Sequence, residues 1–352
     1  MAQGVASAPA LRHEHAAQGG PSDQGRSQRR EPHRHTYGAV DLGTNNCRLL
    51  IARPSDGGFT VIDAFSRIVR LGEGLAMSGE LSDEAMDRAV GALGVCAEKL
   101  RRRNVSLSRS VATEACRRAK NGQEFAERVR RETGIALDII EPAEEARLAV
   151  LGCHKLLEPG DGPAIIFDIG GGSTELVLID QERGTPQIRA WWSAPWGVVS
   201  LTESEGKEAL EGPERLKAYK RMRERARRAF ANFTVMLPEK REGIRLLGTS
   251  GTVTTLASVH LALPSYDRRA VDGLHVPIED MQKISAMIAE MDYEERSALP
   301  CIGSERADLV VAGCALLEAI IEIWPAKNLG IADRGIREGI LRSLMARDGW
   351  QL

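Results

Sequence analysis

Two copies of one short pattern constrain the fold of this chain more than any other feature. The segments AVDLGTNNCRLL and FDIGGGSTELVL each read as a strand, a tight turn of small residues and a second strand. Three positions match between the copies at one fixed offset: Asp41 with Asp168, Gly43 with Gly170 and Leu49 with Leu176. We interpret the match as an internal duplication, which predicts two similar halves that face each other across a cleft.

The rest of the chain alternates strands with helices, which predicts an α/β fold. A length of 352 residues allows two domains, each with its own core. We predict a first domain over residues 37–145 and a second over residues 146–334, with a final helix at 335–352 returning to the first. Ser82 is the predicted N-cap of a long amphipathic helix in the first domain.

Composition excludes several classes of function. Hydrophobic residues make up 43% of the chain, charged residues 27%, and the net charge of −2 gives no general attraction to nucleic acid or to an anionic membrane. We find neither an apolar run of about 18 residues nor a signal core, so a cytoplasmic protein is expected. The six cysteines form no C-x-x-C pair and are expected to be reduced thiols.

Residues 1–36 are rich in Gly, Ser, Gln, Pro, Arg and His and show no hydrophobic period. Such a segment cannot bury enough apolar area to offset the entropy of ordering, so a disordered tail is predicted. Four of the seven histidines lie here, and a metal-binding tract is the alternative.

Three turns of small residues are the candidate phosphate ligands. Glycine has no side chain, so a ligand can approach the backbone closely, and the positive φ that it permits lets successive N–H groups point at one anion. The third turn also begins a helix, whose N-terminus favours negative charge. The alternative is that these glycines only reverse the chain. The predicted ligands are Gly43, Thr44 and Asn45 in the first turn, Gly170, Gly171, Gly172, Ser173 and Thr174 in the second, and Gly248, Thr249, Ser250 and Gly251 in the third.

Asp41 and Asp168 end the strands that precede the first two turns. A Mg²⁺ ion takes one or two carboxylates and completes its octahedron with water and phosphate oxygens, so both side chains are predicted metal ligands. The alternative role for each aspartate is to cap its own turn.

The motifs AVDLGTNNCRLL, DIGGGSTEL, LGTSGT and GIREG together resemble the exopolyphosphatase/guanosine pentaphosphatase (Ppx/GppA) family of the actin-like ATPase superfamily. The intervening segments TEACRRAKN, EEARLAVLG and ERADLVVAG also fit, so the resemblance covers nearly all of residues 40–344. It implies two ribonuclease H-like domains with an interdomain cleft, in the short two-domain form of the family. It also implies a hydrolase.

The resemblance assigns roles to further residues. Glu145 falls on the glutamate that activates the attacking water, although a glutamate there also suits a helix N-terminus. Arg117 falls on an arginine near the phosphates, where a guanidinium neutralises charge. Arg48 follows the first turn. It either neutralises phosphate charge in the same way or points outward from its strand. Glu175 is a weaker candidate for metal or water, and Glu144 shares the metal or tunes its neighbour.

Exopolyphosphatase activity with Mg²⁺, or Mn²⁺ in its place, is therefore the leading functional hypothesis. Hydrolysis of guanosine pentaphosphate at the same site is the nearest alternative, and a phosphate- or ATP-binding sensor is an alternative of another class. We find no sequence evidence for the acceptor pocket of a sugar or acetate kinase. A basic helix is predicted over residues 214–233. Its positive face either binds a polyanion along its length or is an ordinary solvated surface. No nucleic acid or membrane partner is expected, and a homodimer is left open.

Overall fold

The computed structural model describes residues 35–160, 162–182, 185–239 and 242–350. Most of the predicted tail, including His13, His15 and His33, lies outside the described residues. Within them the chain forms two β-sheets with helices packed against both, as the alternation of strands and helices predicts.

The first sheet has five strands in the order β3-β2-β1-β4-β5. Its strands are β1 (Tyr37–Leu42), β2 (Asn46–Ser55), β3 (Gly58–Ile68), β4 (Leu107–Ala112) and β5 (Leu137–Ile139). Strands β1, β2 and β3 are antiparallel neighbours, whereas β4 and β5 run parallel to β1. Its helices are α1 (Leu75–Ser78), α2 (Asp83–Arg102), α3 (Glu114–Arg118) and α4 (Gly122–Thr133).

The second sheet has six strands in the order β10-β11-β9-β6-β7-β8. Its strands are β6 (Ala164–Ile169), β7 (Thr174–Glu182), β8 (Thr185–Ala194), β9 (Arg245–Thr249), β10 (His275–Pro277) and β11 (Asn328–Ala332). Its helices are α6 (Val198–Glu205), α7 (Lys207–Glu211), α8 (Arg215–Thr234), α9 (Gly251–His260), α10 (Arg268–Val271), α11 (Ile278–Glu290), α12 (Tyr293–Ala298) and α13 (Val310–Ile323).

The duplicated pattern extends beyond the two motifs that revealed it. The order β3-β2-β1-β4-β5 in the first sheet corresponds to β8-β7-β6-β9-β11 in the second, with the same parallel and antiparallel pairings between the matched strands. Asp41 pairs across to Arg48 on β2, and Asp168 pairs across to Glu175 on β7. The two sheets are therefore copies of one strand arrangement.

Two helices connect the sheets. Helix α5 (Pro142–Cys153) follows the first sheet and, after a short 3₁₀ turn at His154–Leu156, leads into the second. Helix α14 (Ile336–Arg347) follows the second sheet and returns to pack on β1, β2 and α5. The domain boundaries stay a prediction, and residues 351 and 352 lie outside the described residues.

Helices α5 and α14 touch through their backbones. A Cβ atom at Gly152 on α5 would stand 2.0 Å from the carbonyl oxygen of Gly335, just before α14. One turn away, a Cβ at Gly339 on α14 would stand 2.0 Å from the carbonyl oxygen of Leu148. Glycine is therefore required at both positions for the helices to approach this closely.

Helix α2 confirms the predicted start, because the Ser82 side chain accepts a hydrogen bond from the Ala85 N–H, as an N-cap does. At its other end, Lys99 Nζ and Arg103 Nε each lie 2.8 Å from the Asp63 carboxylate on β3. Hydrogen bonding by Lys99 is the main cause that lowers the Asp63 pKa to about 2.

Candidate active site

A cavity lies between the ends of the two sheets, and the first two glycine turns form opposite walls of it. Their local geometry is alike, since the Gly43 N–H donates to the Asn46 carbonyl at 2.9 Å and the Gly170 N–H donates to the Ser173 carbonyl at 2.9 Å. Both hydrogen bonds close the turn directly after a strand-terminal aspartate. The duplicated sequence thus produces a duplicated turn.

The two turns meet across the cavity. A Cβ at Gly171 would stand 2.8 Å from Thr44 Cβ, and a Cβ at Gly172 would stand 3.0 Å from Thr44 Oγ1. The Cβ at Gly172 would also stand 1.9 Å from Glu114 Oε2, so Thr44 leaves no room for a side chain at Gly171, and Glu114 leaves none at Gly172. A ligand here would face backbone N–H groups on one side and the hydroxyl and amide of Thr44 and Asn45 on the other.

Five carboxylate side chains line this cavity. They are Asp41, Glu114, Glu145, Asp168 and Glu175. Burial is the main cause that raises the pKa of Asp41 and of Asp168, the latter to about 7. The neighbouring charge of Glu175 raises the Asp168 pKa further, whereas Arg48 opposes the rise. A site with this excess of negative charge binds a polyanion only when cations neutralise it.

Glu145 lies in the first turn of α5, close behind Pro142 at the helix start, and is only 6% exposed. Its Oε2 accepts a hydrogen bond of 3.2 Å from Arg117. Burial, followed by the charge of Glu175, raises the Glu145 pKa well above its usual value, and Arg117 opposes that rise. A carboxylate with a raised pKa, held in one orientation and facing the cavity, is suited to accept a proton.

Arg117 lies beside the cavity and contacts the glutamate that lines it. Its guanidinium donates to Glu145 and to the Ile140 carbonyl at 2.6 Å, and the side chain does not line the cavity. In this arrangement its guanidinium holds the Glu145 carboxylate, and its role towards the phosphates stays a prediction. Glu144 also lies off the cavity, because Arg109 and Arg147 hold its carboxylate at 2.6 Å and 2.7 Å.

Glu175 is fixed by two hydroxyl groups. The Oγ atoms of Ser173 and Ser193 both donate to its Oε1, at 2.7 Å and 2.9 Å, and the side chain is 2% exposed. Burial is the main cause that raises the Glu175 pKa, and the two serines oppose it. One oxygen of this carboxylate is thus occupied, which leaves Oε2 for a water or a cation.

Three of the predicted phosphate ligands lie outside this cavity. Thr174 is fully buried and donates its hydroxyl to the Trp196 carbonyl at 2.7 Å. Gly248 lies against the Phe167 ring, where a Cβ would stand 2.5 Å from the ring, so packing requires glycine here. Thr249 donates to the Arg334 carbonyl at 2.6 Å and lines a smaller neighbouring cavity.

The other predicted ligands do line the main cavity. They are Gly43, Thr44, Asn45, Arg48, Gly170, Gly171, Gly172, Ser173, Ser250 and Gly251. Asn45 Oδ1 and Ser250 Oγ are buried and have no hydrogen-bond partner among the described residues. Buried polar atoms of this kind are costly unless a ligand or water satisfies them.

Sequence reasoning missed two charged residues of the cavity. Glu114 follows β4, and its Oε2 accepts a hydrogen bond of 3.2 Å from the Thr44 hydroxyl. Its position at the start of α3, two residues after β4 ends, was the available signal. Arg306 donates to Thr255 Oγ1 at 3.0 Å from the opposite side of the cavity, and its place in the segment ERADLVVAG was the available signal.

A divalent cation fits this donor set. Among the described residues, no group of three or more His, Cys, Asp or Glu side chains is close enough to bind a metal on its own. Mg²⁺ does not require such a group, because it keeps several waters and shares substrate phosphates with one or two carboxylates. Asp41 and Asp168, on opposite walls, are the residues that would hold it.

The basic helix α8 is mostly neutralised. Its arginines pair with glutamates on α6, α13 and α8 itself: Arg221 and Arg225 with Glu205, Arg223 with Glu318 and Glu322, and Arg227 and Arg228 with Glu224. The helix is amphipathic as predicted, and Tyr219, Met222 and Phe233 are buried. These pairings favour a solvated face over a polyanion track.

The sequence of this chain matches a known protein family. A sequence model of the Ppx/GppA phosphatase family matches residues 50–348. Exopolyphosphatase 2 of Mycobacterium tuberculosis is 32% identical over 320 residues, which cover 87% of this chain and 97% of the relative. Exopolyphosphatase 1 of Mycobacterium leprae is 30% identical over 311 residues, covering 87% of this chain and 89% of the relative.

Solved structures agree. A Ppx/GppA family member from Aquifex aeolicus has a TM-score of 0.73 at 31% identity and covers 90% of this chain and 99% of its own. An exopolyphosphatase from Cytophaga hutchinsonii has a TM-score of 0.79 at 23% identity, with 90% and 99% coverage, and supports the fold alone. The predicted α/β class with two ribonuclease H-like, actin-like ATPase sheets is confirmed, and the protein is a phosphatase. The chain belongs to the Ppx/GppA phosphatase family.

Proposed function

We propose that this protein is an exopolyphosphatase, which releases the terminal orthophosphate of inorganic polyphosphate with the aid of Mg²⁺. The observation that carries the proposal is the placement of Glu145, a buried carboxylate oriented by Arg117 and facing a cavity walled by two glycine turns. The relatives named as exopolyphosphatases are similar over 87% of this chain, which supports the same substrate class.

In the proposed reaction, a water oxygen forms a bond to the terminal phosphorus, and Glu145 accepts the proton that this water loses. The bridging P–O bond breaks, and its electron pair goes to the remaining chain. The products are orthophosphate and a polyphosphate shorter by one unit. Gly171, Gly172, Asn45 and Arg48 line the cavity. We expect the backbone N–H groups of the two glycines and the side chains of Asn45 and Arg48 to hold the phosphate oxygens.

Mg²⁺, when bound, supplies positive charge against the phosphate oxygens and against the carboxylates of the cavity. The need for that charge follows from the residues, because five carboxylates share the cavity with only two arginines, Arg48 and Arg306. Burial is the main cause that raises the pKa of Asp168, and the charges of Glu175 and Asp41 add to that rise. Mn²⁺ has similar coordination preferences and is a suitable substitute.

Guanosine pentaphosphate would be cleaved by the same chemistry, and only contacts far from the scissile bond distinguish the two substrates. The ratio of kcat/KM values for long-chain polyphosphate and guanosine pentaphosphate decides between them. A cytoplasmic location and a homodimer stay predictions. No described helix has the length and apolar character needed to cross a membrane.

The decisive variant is Glu145→Gln, with its neighbour Glu144→Gln as the matched control. We expect Glu145→Gln to lower kcat for polyphosphate about 10²- to 10⁴-fold, because the proton acceptor is lost. Glu144→Gln should stay within about threefold, since Glu144 forms surface ion pairs off the cavity. A Glu145→Gln enzyme with more than about a tenth of the normal kcat would refute the assignment of Glu145 as the proton acceptor.

A further inference from the structure

A second, smaller cavity adjoins the active-site cavity. The two share five lining residues, Asp41, Arg48, Asp168, Ser250 and Ile336. The second cavity, here called the side cavity, extends from these residues to the loop between β11 and α14 and to Arg337. We infer that the side cavity binds the orthophosphate product and gives it an exit separate from the polymer. This inference rests on the proposed function.

The charged lining of the side cavity consists of three aspartates, Asp41, Asp168 and Asp333, and three arginines. Asp333 is paired with Arg268 at 3.2 Å, and Asp41 and Asp168 are the residues proposed to hold a cation. The arginines are Arg48, Arg334 and Arg337. Arg334 is already paired with Asp272 at 2.7 Å. The guanidinium groups of Arg48 and Arg337 form no hydrogen bond or ion pair with any described residue, although both lie close enough to Asp41 to oppose the rise of its pKa. Two available guanidinium groups are the usual partners of phosphate oxygens.

The third turn adds neutral donors. Ser250 lies at the start of α9, and its Oγ is buried without a partner among the described residues. Its φ of 115° is unusual for a residue other than glycine and indicates a backbone held in a strained conformation. A Cβ at Gly251 would stand 3.8 Å from Arg48 Nη2, so this arginine lies beside the N-terminus of α9.

Two side chains that line the side cavity are partly exposed to solvent. The Arg334 side chain at its far end is 37% exposed, and that of Asp333 is 26% exposed. The wall shared with the active site carries Asp41 and Asp168, the predicted metal ligands, so the site of bond cleavage and the side cavity are adjacent. Orthophosphate formed at this wall can leave through the side cavity while the shortened polyphosphate stays in the main cavity.

The test uses the full chain with Arg337→Gln and Arg337→Lys, and with Arg347→Gln on the exposed end of the same helix as the matched control. Inhibition of polyphosphate hydrolysis by inorganic phosphate is measured together with KM and the half-saturating Mg²⁺ concentration. We expect Arg337→Gln to raise the phosphate inhibition constant about tenfold, with KM and Mg²⁺ dependence within about twofold. Arg337→Lys should fall in between, because it keeps the charge without the bidentate geometry.

An unchanged inhibition constant in Arg337→Gln would overturn the inference. So would a parallel rise in the half-saturating Mg²⁺ concentration, since Arg337 would then act through Asp41. If the unmodified protein releases no phosphate from polyphosphate, the proposed function fails on its own. The inference is then decided by calorimetric titration of inorganic phosphate into the three variants, where binding must weaken in Arg337→Gln and not in Arg347→Gln.

Discussion

The backbone contact between α5 and α14 offers a sharp test of the structure. In Gly152→Ala, the new methyl group would stand 2.0 Å from the Gly335 carbonyl oxygen, where ordinary contact begins at 3.4 Å. Helix α5 and the backbone before α14 must therefore move apart by roughly 1.4 Å, the difference between the two distances. Rigid backbone atoms cannot turn aside as a flexible side chain would.

The magnitude follows from two opposing effects. Overpacking of a tight contact costs about 3 kcal/mol when backbone must move, whereas replacing a helical glycine with alanine gains about 1 kcal/mol. We expect a net loss of about 2 kcal/mol in the free energy of unfolding, seen as a thermal midpoint lower by roughly 4–8 °C. A shift of about 1 Å in α5, which carries Glu145, should also lower kcat by up to about 10²-fold.

The matched control is Gly91→Ala in α2, where a new Cβ meets no atom within 4 Å. The same substitution should there raise the free energy of unfolding by up to about 1 kcal/mol and leave kcat unchanged. Thermal and urea denaturation of both variants, with phosphate release from polyphosphate, give the comparison. A Gly152→Ala protein as stable as the Gly91→Ala protein would refute the close approach of α5 and α14.

Three further outcomes are expected. Arg117→Gln removes the positive charge that holds down the Glu145 pKa, so the acidic limb of the pH–kcat profile should move to higher pH. Asp63→Asn should destabilise the protein at pH 7, and the difference from the unmodified protein in urea denaturation should shrink as the pH falls from about 4 towards 2. The sign follows because the folded-state pKa of Asp63 is depressed. Glu114→Gln keeps an oxygen to accept from Thr44 and removes one negative charge, so inorganic phosphate should bind about fivefold more tightly in EDTA by calorimetry.

Each of these outcomes has a clear contrary result. An acidic limb that stays in place in Arg117→Gln would show that Glu145 titrates independently of its partner. A stability difference for Asp63→Asn that is constant between pH 7 and pH 3 would show that the ion pairs of Asp63 do not contribute to the free energy of unfolding. Phosphate binding that weakens in Glu114→Gln would mean that the glutamate organises the turn more than it repels the ligand.

The sequence predicted those parts of the site that depend on local structure. A strand that ends in an aspartate and a glycine turn is readable from hydrophobic alternation and turn residues, which is why Asp41 and Asp168 were found. The duplication then indicated that the two turns face each other. Such inferences succeed because strand, turn and register are fixed within a dozen residues.

Contacts between distant segments were not readable. Arg117 on α3 reaches Glu145 on α5, 28 residues further along the chain, and nothing local shows which way a guanidinium points. Gly248 looks like a turn glycine, yet the Phe167 ring on the adjacent strand requires it. Arg306 lies in a turn before α13, and Arg337 lies in the first turn of α14. Both belong to motifs that carry the family resemblance, but the motifs alone do not show that these side chains reach the cavities.

The contact of Thr44 with the second glycine turn has a mechanical consequence. Threonine is branched at Cβ and stiff about χ1, and here its Cβ approaches a backbone that carries no side chains. The contact therefore acts as a rigid stop, and the smallest spacing of the walls is set by backbone atoms instead of by mobile rotamers. Thermal motion of side chains then changes this spacing little, so the position of a phosphate between the walls is reproducible from one turnover to the next.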